Sequence, residues 1–242
     1  MPATVGSIGT VKLTVVGCSP AWPNPGGAHS GYLLEHGGRR LLVDCGPGVL
    51  SRLRAAEGWP EIDAIVISHF HLDHCGDLVA WLWGTLHGPH DAPQLWVTPG
   101  GRGELDNLSQ QIADAFDVHE YVDGERFDAA GFAITPFRVP HYTQPTWALR
   151  IEADGKVVAY SADTGPSPIL AEIARDADLF MCEATLAEDD HDREPRGHLK
   201  ASEAAAAALN ANAKRLLLVH RPVEAVTSDG LELARDGLEI DL

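Results

Sequence analysis

The stretch His69-Phe70-His71-Leu72-Asp73-His74 places three imidazoles and one carboxylate within six residues. It directly follows residues 64–68, a short apolar run rich in β-branched side chains that predicts a buried strand. Imidazole and carboxylate are the natural ligands of zinc and its borderline neighbours. In an extended segment alternate side chains point the same way, so His69 and His71 can reach one ion. A turn then lets Asp73 and His74 approach a second ion. The alternative is a polar loop that happens to be rich in histidine, which the 12 histidines among 242 residues disfavour.

Three further candidates follow strand-like runs later in the chain. His141 comes after Phe-Arg-Val-Pro, Asp163 after Ser-Ala, and His220 after Leu-Leu-Leu-Val. Each of them alone is typical of an ordinary loop residue or a hydrogen-bonding partner. Together they indicate a site, because strand ends that converge at one rim of a sheet form one. A carboxylate such as Asp163 can bridge two cations and offset their charge.

Strand-like and helix-like segments alternate along the whole chain. Two hairpins are predicted to turn at residues 36–38 and 153–155, and Ser202 is predicted to cap a helix through residue 208. We expect one domain spanning residues 1–242, with two sheets packed face to face and helices outside. The strands are predicted at 11–18, 31–35, 39–44, 64–68, 94–98, 125–139, 146–152, 156–161, 179–183 and 215–219, and the helices at 48–57, 77–86, from 104, 168–175 and 202–208.

The composition is that of a globular protein with a strongly acidic surface. Hydrophobic residues make up 45% of the chain and charged residues 22%, and the formal net charge is −17 at pH 7. Such a surface repels a polyanion, since long nucleic acids are bound largely through neutralisation of their phosphates by Lys and Arg. A small anionic or neutral substrate is therefore favoured over nucleic acid. A local basic rim is still possible at Arg193, Arg196 and Lys200.

The apolar runs and the cysteines bear on location. No apolar run is long enough to span a bilayer, and the N-terminus lacks the pattern of a secretory signal, so no membrane partner is expected. The four cysteines are scattered and form no CxxC pair. This fits a reducing cytoplasm better than a disulfide framework.

The pattern His-x-His-x-Asp-His, followed in order by a later His, Asp and His, resembles the metallo-β-lactamase superfamily. The similarity runs from about residue 11 to residue 220 and includes Asp44-Cys45-Gly46 and Asp163-Thr164-Gly165. The resemblance implies a mixed α and β fold, a four-layer αββα sandwich with two metal ions at one edge between the sheets. It also implies a ligand set, in which Asp163 bridges one ion held by His69, His71 and His141 and another held by Asp73, His74 and His220. Zinc is the expected metal, although the same ligands accept Mn or Fe.

Glu183 and His198 narrow the resemblance to one branch of the metallo-β-lactamase superfamily. They are similar to an additional Glu and His pair of the ribonuclease Z-like phosphodiesterases. The resemblance implies that His198 donates a hydrogen bond or proton to the substrate, that Glu183 holds His198, and that Asp73 orients the nucleophile or accepts its proton. Taken alone, His198 also fits a surface position in the polar segment 188–200, and Glu183 fits a local salt bridge.

The branch contains both tRNA 3′-end endonucleases and cyclic-nucleotide or other small phosphodiesterases. The endonucleases usually carry a basic, Gly-rich arm, and no such insertion interrupts the motifs here. The expected function is therefore hydrolysis of a small phosphodiester such as a cyclic nucleotide. The alternatives are a ribonuclease Z-type endonuclease and a non-phosphate hydrolase, either a lactonase or a thioesterase.

Relatives in the branch are often dimers, so we also expect a homodimer. Trp22 and Tyr142 have the chemistry to stack on a base, although packing is the simpler interpretation of both.

Overall fold

The secondary structure of the chain is given by a computed structural model that describes residues 10–225 and 230–242. Residues 1–9 and 226–229 lie outside the described residues. Residues 1–9 include the start of the predicted domain and the N-terminal positions at which a secretory signal would begin. Along the chain the elements are β1 Lys12–Gly17, β2 Gly31–His36, β3 Arg39–Val43, α1 Val49–Glu57, β4 Ala64–Val66, α2 Leu72–Cys75, α3 Leu78–His87, β5 Gln94–Val97, α4 Gly101–Leu108, α5 Ile112–Ala115, β6 Asp117–Glu120, β7 Phe127–Ala129, β8 Phe132–Val139, β9 Thr146–Ala153, β10 Lys156–Tyr160, α6 Ile169–Ile173, β11 Leu179–Glu183, α7 Ala201–Asn210, β12 Leu216–Val219 and β13 Glu239–Asp241.

The strands form two mixed sheets. The first has seven strands in the order β13-β1-β2-β3-β4-β5-β6, and the second has six in the order β12-β11-β10-β9-β8-β7. In the first sheet the pairs from β13 to β3 are antiparallel and those from β3 to β6 are parallel. In the second, the pairs from β7 to β10 are antiparallel and those from β10 to β12 are parallel. Both predicted hairpins are present, as β2–β3 and β9–β10.

The sheets pack face to face around a shared apolar core. Leu13, Leu34 and Leu41 from the first sheet and Ile134 and Leu179 from the second are buried in that core. Helices α1 and α3 cover the outer face of the first sheet, and α6 and α7 cover the outer face of the second. Burial of one face of each helix and both faces of each sheet gives the four-layer αββα sandwich predicted from the sequence.

Several strands end at the same edge of this sandwich. In the second sheet β8 runs antiparallel to β9 and β9 runs antiparallel to β10, so β8, β10, β11 and β12 all point the same way. Their carboxyl ends therefore meet at one rim. In the first sheet β3 and β4 are parallel, and their carboxyl ends are likewise neighbours. The backbone amide of Trp147, in the second sheet, donates to the carbonyl of Ser68, just past β4, and so joins the two rims.

A few local predictions differ from the structure. Ser202 does not cap α7, because its hydroxyl donates to Glu188 at 2.6 Å. The helix begins at Ala201, and the Glu203 carboxylate accepts the backbone N–H of Lys200 at 2.9 Å instead. Helix α4 begins at Gly101, three residues before the predicted start. Among the described residues, the helices are all too short or too polar to cross a bilayer.

The loop after β3 passes so close to α2 that Gly46 has no room for a side chain. A Cβ at Gly46 would lie 2.0 Å from the carbonyl oxygen of Asp73 and 2.6 Å from the Cβ of His29. We therefore predict that Gly46→Ala lowers the free energy of unfolding by about 2 kcal/mol, as overpacking against backbone does. Chemical denaturation of the two proteins measures the difference.

Gly103 in α4 provides the matched control. A Cβ there has no heavy atom within 4 Å among the described residues, so Gly103→Ala should be neutral or stabilising by up to about 1 kcal/mol. Equal stability of Gly46→Ala and the unmodified protein would contradict this account of the loop.

Candidate metal centre

Three imidazoles at the shared edge point their ring nitrogens at one spot. Nδ1 of His71 lies 3.2 Å from Nε2 of His69 and 3.0 Å from Nε2 of His141. Two nitrogens that each lie about 2.0–2.1 Å from a tetrahedral zinc ion are themselves about 3.3 Å apart. The spacing of these three nitrogens therefore fits a common metal ion.

A second group of donors lies beside the first. Oδ2 of Asp73 is 3.1 Å from Nε2 of His220 and 3.5 Å from Nε2 of His74. Asp73 and His74 both lie on α2, whose single turn brings adjacent side chains to the same place as His220 at the end of β12. A nitrogen-and-oxygen donor set of this kind suits zinc, manganese or iron.

The carboxylate of Asp163 lies between the two groups and faces both. Its Oδ2 is 3.8 Å from Nε2 of His69 and 3.8 Å from Nε2 of His141. Its Oδ1 is 3.3 Å from Nε2 of His74 and 3.5 Å from Nδ1 of His220. In each group the candidate donor atoms lie within 4.8 Å of one another. All seven residues predicted as ligands are thus brought together, with Asp163 common to both groups.

Two atoms of the centre are buried without a hydrogen-bond partner among the described residues. They are Nε2 of His74 and Oδ1 of Asp163. Leaving buried polar atoms unsatisfied costs about 1–3 kcal/mol each. A cation between them would satisfy both, so the donors fit a resident metal ion.

The charge states of the buried histidines and of Asp163 also fit a resident metal ion. Burial lowers the pKa of His69 well below its usual range and that of His71 to about 4, which favours neutral imidazoles. Burial opposes ionisation of Asp163, but the neighbouring His220 and His74 outweigh it and hold the pKa of that carboxyl well below its usual range. Burial also opposes a charge on His74, yet Asp163 and Asp73 raise its pKa well above the ordinary value. In the protein alone a proton on His74 offsets the buried carboxylates, and a divalent cation can take over that task.

In four of the five imidazoles the other ring nitrogen is held by a neighbouring group, which fixes the orientation of the ring. The predictions from sequence did not include these partners. Nδ1 of His69 lies 3.1 Å from Oγ of Ser68, Nδ1 of His74 lies 2.7 Å from Oδ2 of Asp44, Nδ1 of His141 lies 2.7 Å from the carbonyl oxygen of Gly197, and Nδ1 of His220 lies 2.9 Å from Oγ1 of Thr185.

The side chain of Asp44 links both sheets to the centre. Its buried carboxylate accepts the backbone N–H and the hydroxyl of Ser68, each at 2.8 Å, and the hydroxyl of Tyr160 at 2.8 Å, besides contacting His74. Asp44 follows β3 in the first sheet, and Tyr160 ends β10 in the second. The carboxylate thus holds His74 and joins the two sheets at the edge that carries the site.

Backbone strain is concentrated at this edge. Eight described residues other than glycine have a positive φ, and four of them flank the site: Asp44, Tyr142, Ala162 and His220. Such conformations cost on the order of 1–3 kcal/mol each and persist where surrounding contacts enforce them. The turns after β3, β8, β10 and β12 therefore aim side chains at the centre at the expense of stability.

The predicted Glu183 and His198 pair is formed next to the second group. Nδ1 of His198 lies 2.8 Å from Oε1 of the fully buried Glu183. Oε2 of Glu183 accepts the backbone N–H and the hydroxyl of Thr185, at 3.0 and 2.8 Å. The rings of His198 and His220 are stacked with centroids 5.8 Å apart. This geometry is that of a held imidazole facing the centre rather than a solvated loop residue, and the salt bridge of Glu183 is the one that it forms with His198.

A cavity of about 580 Å³ opens beside the centre. Its wall includes His198, His220, Trp22 and Tyr142. The volume lies within the range of roughly 300–1,000 Å³ that is usual for small-molecule sites. Substrate can therefore reach the donor groups from this side.

Of the three residues of the basic rim considered from the sequence, Arg196 is neutralised by a carboxylate, and the other two have neutral partners. Arg196 forms two hydrogen bonds of 2.7 Å with the carboxylate of Glu203, and Nζ of Lys200 donates to the carbonyl of Glu188. The guanidinium of Arg193 instead lies over the ring of Tyr142, 4.1 Å from its centroid.

Comparison with known proteins agrees with the fold. Residues 39–221 match the family described as Beta-lactamase superfamily domain. The probable metallo-hydrolase YhfI of Bacillus subtilis is 32% identical over 216 residues, which cover 88% of this chain and 87% of YhfI. Ribonuclease Z of Mycobacterium marinum is 30% identical over 240 residues, which cover 87% of this chain and 86% of that protein.

The same relationship is seen in three dimensions. The crystal structure of the metallo-β-lactamase fold protein YhfI from Bacillus subtilis has a TM-score of 0.86 with this chain at 27% identity, and it covers 96% of this chain and 99% of that one. The chain therefore belongs to the metallo-β-lactamase superfamily and is a metal-dependent hydrolase of that superfamily.

Proposed function

We propose that this hydrolase uses two adjacent divalent metal ions to cleave a small phosphodiester, such as a cyclic nucleotide. The observation that carries the proposal is the arrangement of Asp163 between two groups of donors, with His198 held by Glu183 at the mouth of the cavity. Zinc suits the donors best, and manganese or iron are accepted by the same set.

In the proposed centre Asp163 would contact both ions, and the remaining ligands would divide into two sets. His69, His71 and His141 would hold one ion, and Asp73, His74 and His220 would hold the other. When bound, two adjacent divalent ions supply a nucleophilic hydroxide near neutral pH and stabilise negative charge at the attacked phosphorus.

Asp73 orients the attacking water and accepts its proton. Burial alone would raise the pKa of Asp73, but His74 and His220 outweigh burial and lower that pKa below its usual range. The carboxylate is therefore ionised at neutral pH and can accept a hydrogen bond or a proton from the attacking water. Its position on α2 keeps it at the centre, where the nucleophile is needed.

His198 donates a proton or hydrogen bond to a phosphate oxygen or the leaving oxygen. Burial alone would lower the pKa of His198, but Glu183 outweighs burial and raises that pKa to about 9. At pH 7 the imidazole is then charged, with Nδ1–H directed at Glu183 and Nε2–H left for the substrate.

Charge separates the two phosphodiester alternatives. The relative named Ribonuclease Z keeps tRNA processing as the second candidate. Against it stand the net charge of −17 and the cavity wall, on which the described residues include no Lys or Arg. A lactonase or thioesterase is the third candidate, and it has no evident need for the Glu183 and His198 pair.

Two further expectations accompany this function. All four cysteines are buried as free thiols, which agrees with the prediction of a reducing cytoplasm. The homodimer stays a prediction.

The substrate class is tested with the metal-loaded protein on cyclic nucleotides, bis(p-nitrophenyl) phosphate, a pre-tRNA and a lactone. We predict turnover of the small phosphodiesters, with kcat/KM falling less than about threefold between 50 and 200 mM salt. A protein that grips 6–10 phosphates loses about 10³–10⁵ in affinity over the same range. Efficient, steeply salt-dependent cleavage of pre-tRNA, or a preference for the lactone, would contradict the proposal.

His198→Ala tests the role of the held imidazole. We predict a loss of about 10²–10⁴ in kcat, the usual contribution of a general acid or base, with the metal content unchanged. Steady-state kinetics and elemental analysis of the same preparation measure the two effects. The exposed His191 of the same loop gives the matched control, since His191→Ala should leave both values unchanged. A parallel loss of metal in His198→Ala would show that this residue acts as a ligand instead.

A further inference from the structure

Trp22 is an exposed aromatic side chain that packs against no other ring among the described residues. It lies in the loop between β1 and β2 and is 53% exposed. The other five tryptophans each pack against an aromatic ring, in the pairs Trp59–Trp81, Trp83–His87, Trp96–Phe127 and Trp147–Tyr121. A large aromatic face that is exposed beside a cavity and has no ring stacked on it is available to a ligand.

The loop that carries Trp22 is nevertheless tied down. The side-chain amide of Asn24 donates to the carbonyl of Arg221 at 2.9 Å, and its Oδ1 accepts the backbone N–H of Val223 at 3.0 Å. The backbone N–H of Asn24 also donates to Oγ of Ser19 at 3.1 Å. These bonds join the loop to the segment that follows His220. The backbone beside Trp22 is therefore restrained before a ligand arrives, which reduces the entropic cost of binding.

Trp22 lines the cavity that also reaches the metal centre. His220 belongs to both the cavity wall and the second donor group, and His198, also on the wall, stacks on it. A phosphodiester whose phosphorus lies at the centre can therefore extend one of its ester groups into this cavity. Tyr142 also lines the wall, but its ring already lies under Arg193, with the guanidinium carbon 4.1 Å from the ring centroid.

The charges on the wall define the kind of group that fits. Apart from the two histidines, the charged side chains among the lining residues that the structure describes are carboxylates, Asp190 and Glu224. A second phosphate in this cavity would be repelled. An uncharged base can stack on the indole, and its amino groups can donate hydrogen bonds to a carboxylate.

We propose that the cavity binds the base of a nucleoside phosphodiester and that Trp22 provides the surface on which that base stacks. The inference deepens the proposed phosphodiesterase function and rests on it for the position of the phosphate. It makes Trp22 a specificity-determining residue, which selects substrates with one aromatic group and a single phosphate.

The test measures binding of adenosine and guanosine to the metal-loaded protein by calorimetry. Neither probe has a phosphate, so their affinity reports the base site alone and needs no turnover. Trp22→Ala should weaken binding of the better nucleoside about tenfold, and Trp22→Phe about threefold, because base–aromatic stacking has this strength and the smaller ring keeps part of it. Affinity for inorganic phosphate should stay unchanged in both variants.

Trp83→Ala is the matched control, since Trp83 is 48% exposed on α3 and stacks on His87. It should bind the nucleosides as the unmodified protein does. The inference is overturned if neither nucleoside binds, if Trp22→Ala binds as tightly as the unmodified protein, or if Trp83→Ala weakens binding equally. Hydrolysis of bis(p-nitrophenyl) phosphate by the same unmodified sample tests the proposed function separately. If the nucleosides bind through Trp22 but bis(p-nitrophenyl) phosphate is not hydrolysed, the base site is supported and the proposed phosphodiesterase function is contradicted.

Discussion

The negative charge of Asp163, buried between five imidazoles and the carboxylate of Asp73, is the constraint on which the site depends. A buried carboxylate is tolerated only when positive charge and hydrogen bonds compensate for lost hydration. Here Oδ1 has no hydrogen-bond partner among the described residues, and the imidazole nitrogens beside it, on His74 and His220, lie 3.3 and 3.5 Å away. Protonated His74 supplies the compensation within the protein itself, and divalent cations would supply it more fully.

The fold meets this constraint through strand direction and local strain. Parallel alignment of β10, β11 and β12 brings Asp163, Glu183 and His220 to one rim, while β3 and β4 bring Asp44 and the histidine-rich stretch to the facing rim. Apolar side chains buried between the sheets and under the helices stabilise the fold, so the turns at the rim can adopt unfavourable conformations. Asp44 then links both rims, because it binds Ser68 and His74 on one side and Tyr160 on the other.

Much of the fold and the residues of the centre could be predicted because they carry strong local signals. Buried strands are apolar runs, and the residues that follow them are polar. Strands β6 and β13 were missed since both lie at the edges of the seven-stranded sheet, where a short strand such as Glu239–Asp241 needs only one buried side chain. Helices α2 and α5 have four residues each, too few for a helical period to appear.

The contacts that hold the imidazoles of the centre could not be predicted from the sequence, for a different reason. Asp44 follows a strand and precedes Cys-Gly just as Asp163 follows one and precedes Thr-Gly, so sequence alone does not distinguish a residue that holds His74 from one that faces both donor groups.

The position of Asp163 between two metal ions can be tested by diffraction from crystals of the zinc-loaded protein, recorded at the zinc absorption edge. We expect two anomalous peaks about 3.5–4 Å apart with the Asp163 carboxylate between them. A single peak, or peaks away from Asp163, would contradict a centre of two ions that share this carboxylate.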